Sequence, residues 1–346
     1  MKDFKYFLVI IISFLLFSCN KSIDNSISDN NIDDCREISH KMGTTKVCGE
    51  PKRIIALGPN VLEHLVALEI QPVAFADQVN FSSQDYTNPA QQMPYLGNYI
   101  NGSMINVGLA YSPNLESILK VKPDLILGIE SNNAQQYENL SKIAPTIIGD
   151  WAQPEETMKA IAQGVNRETQ AQEILEINEK KIAEAKIEFA PVVNKFPKML
   201  LLRATGVQEF VSDNDRGLCS SLVKDLGFEL ISPPNSDPSQ PNSLTTISLE
   251  VLPQLEKADL ILLLGYDFTR LETLKDMDNF GQHQVTNLQQ EWSKNAITQS
   301  LQASQEGNVF YLPAYLCFGL TGAIGTELYL QELKQQLLPS VGLAIA

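Results

Sequence analysis

The stretch Pro113-Asn-Leu-Glu-Ser-Ile-Leu-Lys-Val-Lys-Pro-Asp-Leu-Ile-Leu-Gly128 decides how this chain is read. Glu116 opens a short amphipathic helix, and Lys122-Pro123-Asp124 breaks it. Leu125, Ile126 and Leu127 follow as an apolar run too short for a helix and closed by Gly128, the pattern of a fully buried strand. The pattern returns later: Ser248-Leu249-Glu250-Val251-Leu252 leads to Lys257-Ala258-Asp259 and then Leu260-Ile261-Leu262-Leu263. Glu-to-Asp offsets are eight in the first copy and nine in the second. Two copies of one unit predict two related lobes.

Working outward, Arg53 to Leu57 reads as a strand, Gly58-Pro59-Asn60 as a turn, Val61 to Leu68 as a helix and Val73 to Ala76 as a second strand. A strand–helix–strand unit is the ingredient of a parallel sheet flanked by helices. A strand at Thr146 to Ile148 ends the first lobe near Asp150. Lys198 to Leu202, Phe228 to Ile231 and Asn308 to Leu312 are the corresponding strands of the second lobe, with a helix from Leu218 to Leu226 and a closing helix from Thr321 to Leu338. Between the lobes, Val165 to Ala190 contains neither Gly nor Pro, and Ala171, Ile174, Leu175, Ile182, Ala185 and Phe189 form one stripe. Such a helix spans roughly 39 Å, enough to connect both lobes; a peripheral surface helix is the alternative. The expected organisation is 1–19 signal segment, 20–49 tether and hairpin, 50–150 first α/β lobe, 151–192 linker helix region and 193–346 second α/β lobe. The fold class is α/β: two lobes with central mainly parallel sheets flanked by helices.

The 346 residues suffice for two cores, and 44% hydrophobic content is that of a globular protein. A formal charge of −15 with six arginines argues against nucleic acid, which needs clustered bases. Lys2 and Lys5 precede the apolar run from Tyr6 to Phe17, which is too short to span a bilayer but suits a signal-peptide core. Leu16-Phe17-Ser18-Cys19 resembles the lipobox of bacterial lipoproteins, which implies lipidation at Cys19; an ordinary secretory signal is the alternative. The Asn-, Ser- and Asp-rich run that follows reads as a tether. Four further cysteines fit an oxidising compartment. Cys35 and Cys48 flank a candidate hairpin and form the expected disulfide, while the pairing of Cys219 and Cys317 stays open.

Cys35-Arg-Glu-Ile-Ser-His40, Pro51-Lys-Arg-Ile-Ile-Ala-Leu57, Leu62-Glu-His-Leu-Val-Ala-Leu68, Pro113-Asn-Leu-Glu116, Lys122-Pro-Asp-Leu-Ile-Leu127, Leu140-Ser-Lys-Ile-Ala-Pro145, Leu301-Gln-Ala and Gly307-Asn-Val-Phe-Tyr311 carry a resemblance by their order and spacing. Over residues 35 to about 340 the chain resembles the substrate-binding proteins of ABC importers for ferric siderophores, haem or cobalamin. The resemblance implies a ligand held between two lobes joined by a rigid helix, with small lobe motion. A ferric siderophore leads, and cobalamin or haem is the alternative. It implies a monomer that serves an ABC permease and its ATPase. One acidic residue per lobe, Glu116 and Glu250, matches the family's permease-docking acids; each could instead simply favour its helix N-terminus.

In parallel sheets, ligands bind beyond the strand carboxyl ends. Candidate ligand residues there are Asn60, Ser131, Arg203, Tyr266 and Arg270, with Tyr99, Trp151, Trp292 and Tyr315 from flanking loops. Arginine forks onto carboxylate or hydroxamate oxygens, and aromatics add rigid apolar contact. Arg270 could as well make a surface ion pair, and each aromatic could be core or rim packing. Neither a phosphate-binding loop, a nucleophile elbow nor a His-Glu-x-x-His motif occurs, so no catalytic residue is expected. His40, His64 and His283 are too scattered for an evident metal site, so iron is expected only inside the bound chelate, with no cofactor of the protein's own. A non-transport surface lipoprotein is the remaining rival, and it would not need the duplicated Leu-Glu motif.

Overall fold

Two mainly parallel sheets form the frame of the molecule. The computed structural model describes residues 34–81, 84–212, 217–233, 245–255, 257–271, 274 and 277–343. The signal segment, Cys19, the tether up to residue 33 and residues 234–244 lie outside the described residues. No helix among the described residues is long and apolar enough to cross a membrane.

In the first lobe, β1 (Cys35–His40) and β2 (Gly43–Cys48) make an antiparallel hairpin, with Cys35 opposite Cys48 and bonded to it. Ile38 and Val47 are buried in the first lobe's core, and Arg36 donates to the carbonyls of Gly49 and Gly164. The hairpin is thus a structural part of this lobe. Next come β3 (Ile54–Leu57), β4 (Ala74–Asp77), β5 (Ile105–Leu109), β6 (Ser112–Pro113), β7 (Leu125–Ile129) and β8 (Thr146–Gly149). They lie in the order β6-β5-β4-β3-β7-β8, parallel apart from the β5–β6 pair.

In the second lobe, β9 (Lys198–Ala204) and β10 (Glu209–Ser212) precede β11 (Glu229–Leu230) and β12 (Thr245–Ser248), followed by β13 (Leu260–Gly265) and β14 (Val309–Pro313). Their order is β12-β10-β9-β13-β14, with β11 also pairing to β9. Strands β9, β13 and β14 are parallel, and β10 runs antiparallel to both β9 and β12.

The duplicated stretch does the same job in each lobe. Asp124 accepts hydrogen bonds from the backbone N–H groups of Lys52 and Arg53, at 2.8 Å each, just ahead of β3. Asp259 accepts from Lys198 N–H at 2.8 Å, at the start of β9. Each Asp thereby pins the register of its own buried strand, β7 or β13, against the central neighbour. The preceding segments are a helix, Leu115–Val121, in the first lobe and a 3₁₀ helix, Leu249–Leu255, in the second. Asn114 caps the former by accepting from Ser117 N–H, and Arg53 donates to the Val121 and Lys122 carbonyls at its other end.

The linker helix runs over Glu168–Lys195, later than Val165–Ala190. A separate helix, Pro154–Val165, precedes it and ends at Asn166, whose φ of 55° is left-handed and breaks the helical path. Pro191, expected to stop the linker helix, lies inside it. Its missing N–H frees the Ile187 carbonyl, and Ile187 is 76% exposed, so water can take that acceptor. Ala171, Ile174 and Leu175 pack into the first lobe's core, and Ile182, Ala185, Phe189 and Val192 into the second's. One apolar stripe therefore serves two cores. Cys219 and Cys317 are bonded, tying the helix Gly217–Asp225 to the segment after β14. The closing helix spans Ala323–Leu337.

Candidate ligand-binding cleft

The carboxyl ends of the parallel strands face a cavity of about 360 Å³ between the lobes. Asn60 follows β3, Gln78 follows β4, Ser131 and Asn132 follow β7, and Trp151 follows β8. From the second lobe come Arg203 of β9, Tyr266 and Phe268 after β13, and Ala314 and Phe318 after β14. The topological rule for open parallel sheets accounts for all of these positions.

Arg203 is the central polar feature. Its guanidinium carbon sits 4.5 Å from the Phe318 ring centroid and 5.3 Å from that of Tyr266. Arg203 Nε is buried without a hydrogen-bond partner, and no acidic side chain is among the described residues lining the cleft. The aromatic rings hold the cation, and no described residue of the wall neutralises it. Opposite, Gln78 Oε1 is a buried acceptor without a partner. An unpaired buried donor and an unpaired buried acceptor each cost on the order of 1–3 kcal/mol, which a bound molecule can recover. Trp151 lies 5.9 Å from Phe318 between ring centroids. Gly217 lets it do so: a Cβ there would come within 2.2 Å of the Trp151 ring, and φ is +69°.

The structure thus brings Asn60, Ser131, Trp151, Arg203 and Tyr266 together, and it sets four other candidates aside. Trp292 is 2% exposed in the second lobe's core, its Nε1 donating to Ser304 and its ring edge-on to Phe210, so it does not line the cleft. Tyr315 is buried beneath the cleft among Tyr95, Phe268 and Phe280. Tyr99 is 47% exposed on a short helix of the first lobe, outside the lining. Arg270 is exposed in a left-handed turn set by Asp267, which accepts from both the N–H and the hydroxyl of Thr269. Gln78, Asn132, Phe268 and Phe318 were not singled out by the sequence. Gln78 directly follows β4, so the carboxyl-end rule could have found it.

The cleft floor joins the lobes. Asn60 Nδ2 donates to the Phe318 carbonyl at 2.9 Å. Glu63, on the same face of the helix Pro59–Ala67, is 1% exposed and accepts from Gly322 N–H at 2.6 Å and Gly325 N–H at 3.1 Å. These bonds cap the closing helix from the opposite lobe. Burial pushes the Glu63 carboxyl up to about 8, against the pull of the backbone donors. A stack of Tyr95 on Tyr315 and edge contacts of Phe81 and Tyr95 with Phe280 fill the rest of the floor. His64 is fully buried beside a second cavity of about 90 Å³; neither ring nitrogen has a partner, and burial lowers its pKa to about 4.

Glu116 and Glu250 are both exposed, near the start of their helical segments. The segment of Glu250 follows β12, which runs in the sense of β9, whereas that of Glu116 follows β6, which runs antiparallel to β5; they lead back to β13 and β7. Glu250 thus lies just beyond the carboxyl end of β12, and Glu116 lies three residues after Pro113, which pairs with Gly108 near the carboxyl end of β5. No described residue is paired with either. Among the described residues no group of three or more metal-ligating acids, histidines or cysteines occurs.

The family model for periplasmic binding protein matches residues 54–316. The chain is 25% identical over 314 residues to the probable siderophore-binding lipoprotein YfiY of Bacillus subtilis, covering 87% of each. It is 28% identical over 330 residues to the Fe(3+)-citrate-binding protein YfmC of the same organism, covering 90% of each. The crystal structure of Staphylococcus aureus SirA complexed with staphyloferrin B superposes with a TM-score of 0.69 at 24% identity, covering 87% of this chain and 97% of that one, a likeness of fold. With the two-lobed frame, the linker helix and the family match over most of its length, this chain is a member of the periplasmic binding protein family.

Proposed function

We infer that this protein is the extracytoplasmic receptor of an ABC importer and captures a ferric siderophore between its lobes. The observation that carries the reading is Arg203: a cation held between two aromatic rings at the strand carboxyl ends, with no acid among the described residues of the cleft wall. The names of YfiY and YfmC support an iron-chelate ligand. Iron enters as part of that ligand, and the cleft residues grip the organic shell through Arg203, Gln78, Asn60 and Ser131, with Trp151 and Tyr266 as apolar walls. Glu116 and Glu250 are the docking points for basic residues of the permease, whose ATPase drives release, and the receptor acts as a monomer. Cys19 carries the lipid that holds it at the membrane surface, and the chain upstream of Cys19 is the signal peptide.

Calorimetric titration with ferric and iron-free siderophores tests the ligand assignment. Saturable binding of a ferric form, weakened at least tenfold by Arg203→Ala, is expected; equal binding by the Arg203→Ala protein would overturn it. For the anchor, Cys19→Ser should move the protein from the membrane to the soluble fraction, and retention at the membrane would refute lipidation there.

A further inference from the structure

A second large cavity, of about 420 Å³, lies on the first lobe, where Asp77 ends β4 and Ser112 begins β6. Tyr86, Asn106, Asn114 and Ser117 line it with them. Asn114 caps the helix Leu115–Val121 by accepting from Ser117 N–H, and Glu116 lies between these two residues in the chain. The cavity therefore adjoins the helical turn that presents Glu116 to solvent. Asp77 is 2% exposed. Its Oδ1 accepts from the N–H groups of Gln78 at 2.6 Å and Val79 at 3.4 Å. Its Oδ2 is buried with no hydrogen-bond partner among the described residues. Tyr86 and Tyr315 feel the charge of Asp77, yet neither phenol donates to it.

A buried carboxylate with one oxygen unserved is a costly arrangement, and burial raises Asp77 to about 7 against the pull of its two backbone donors. A neutral donor would fill the open lone pairs but leave the charge unpaired. A guanidinium supplies both the N–H groups and the opposite charge. It carries five donors in a planar fork, more than one carboxylate oxygen can accept, and the asparagine and serine side chains of the wall are of the type that takes the remainder. Glu116, exposed on the adjoining turn, adds a second negative charge on the solvent side. One acid outside and one within mark a path for a cationic side chain from the surface inward.

Resting on the reading of Glu116 as a permease-docking residue, we propose that this cavity receives an arginine side chain of the permease, with Asp77 as its buried counter-ion. The first test is an NMR titration of the full-length protein in detergent with N-acetyl-arginine-amide and its uncharged isostere N-acetyl-citrulline-amide. The arginine probe should give saturable shifts at Tyr86, Asn106 and Ser117, and the citrulline probe should bind roughly tenfold or more weaker. Asp77→Asn keeps the oxygen that serves Gln78 and Val79 N–H; with its melting profile checked, it should weaken the arginine probe by a similar factor. No binding of the arginine probe, equal binding of the two probes, or unchanged binding to Asp77→Asn overturns the cation pocket. The second test measures stimulation of the permease ATPase in vesicles against receptor concentration. Asp77→Asn should raise the half-saturating concentration about tenfold. A wild-type value for Asp77→Asn beside an impaired Glu116→Ala protein overturns the arginine assignment and leaves the docking reading standing. Wild-type values for both variants overturn the docking reading of Glu116 itself.

Discussion

Glu63→Ala is the perturbation that most directly tests how the two lobes are held. The side chain is 1% exposed, and its two oxygens accept from Gly322 N–H at 2.6 Å and Gly325 N–H at 3.1 Å. Truncation leaves two backbone donors without acceptors, at about 1–3 kcal/mol each. It also opens a void of roughly 50 Å³, worth about 1 kcal/mol at the usual cost per volume. Removing a buried carboxyl returns part of this, because burial alone disfavours that group. The net expectation is a loss of about 3–5 kcal/mol. Glu63→Gln keeps one acceptor oxygen and turns its amide N–H groups toward a backbone donor, so about half that loss is expected. Urea unfolding at pH 6, followed by circular dichroism, measures both. A Glu63→Ala protein within about 1 kcal/mol of wild type, or a Glu63→Gln protein as damaged as Glu63→Ala, would refute the capping argument.

Four further outcomes are expected. Replacing Cys219 and Cys317 by Ser should cost more than replacing Cys35 and Cys48, because the bridges span 98 and 13 residues; chain entropy puts them at about 4–5 and about 3 kcal/mol, and the reverse order in urea melts would count against it. Glu116→Ala with Glu250→Ala should leave ligand affinity unchanged while abolishing stimulation of the permease ATPase in vesicles; altered affinity would place the acids in the wrong role. Burial raises Glu63 to about 8 and Asp77 to about 7. Both acids therefore contribute stability that is full below their unfolded values and is lost as pH rises through the folded ones. His64, lowered to about 4, contributes fully above 6.5 and changes nothing higher up. Urea midpoints should thus fall between pH 6.5 and 8, at up to about 1.4 kcal/mol per pH unit per group, and Glu63→Gln should flatten the slope; a rising midpoint would contradict the sign. Finally, the linker helix and the interlobe floor predict little closure, so small-angle scattering should show a change of about 1 Å or less in radius of gyration on ligand binding, and a large contraction would reject the rigid-floor picture.

Local pattern was enough for the frame. Leu125 to Leu127 and Leu260 to Leu263 are apolar runs that only a strand buried on both faces can use, and both are buried strands here. The stripe from Ala171 to Phe189 repeats at helical period, and it packs against two cores. The carboxyl-end rule placed Asn60, Ser131, Arg203 and Tyr266 at the cleft wall, because in a parallel sheet a residue's place along the strand decides which end it faces. The helix Phe280–Lys294, by contrast, was not read at all: its polar, Gln-rich face dilutes the apolar positions Phe280, Val285, Leu288 and Trp292.

Sequence by itself determined the α/β class, the duplication, the linker and the strand ends from which a cleft must be built. Those features rest on interactions within a few residues, so their periodicity is written locally. Only the tertiary structure decided which side chains enter the cleft. Trp292 and Trp151 are equally aromatic in sequence, yet one is core and the other wall. The pairing of Cys219 with Cys317 and the capping of Gly322 by Glu63 join positions 98 and 259 residues apart. Such contacts depend on how whole lobes pack, and no local pattern encodes the partner.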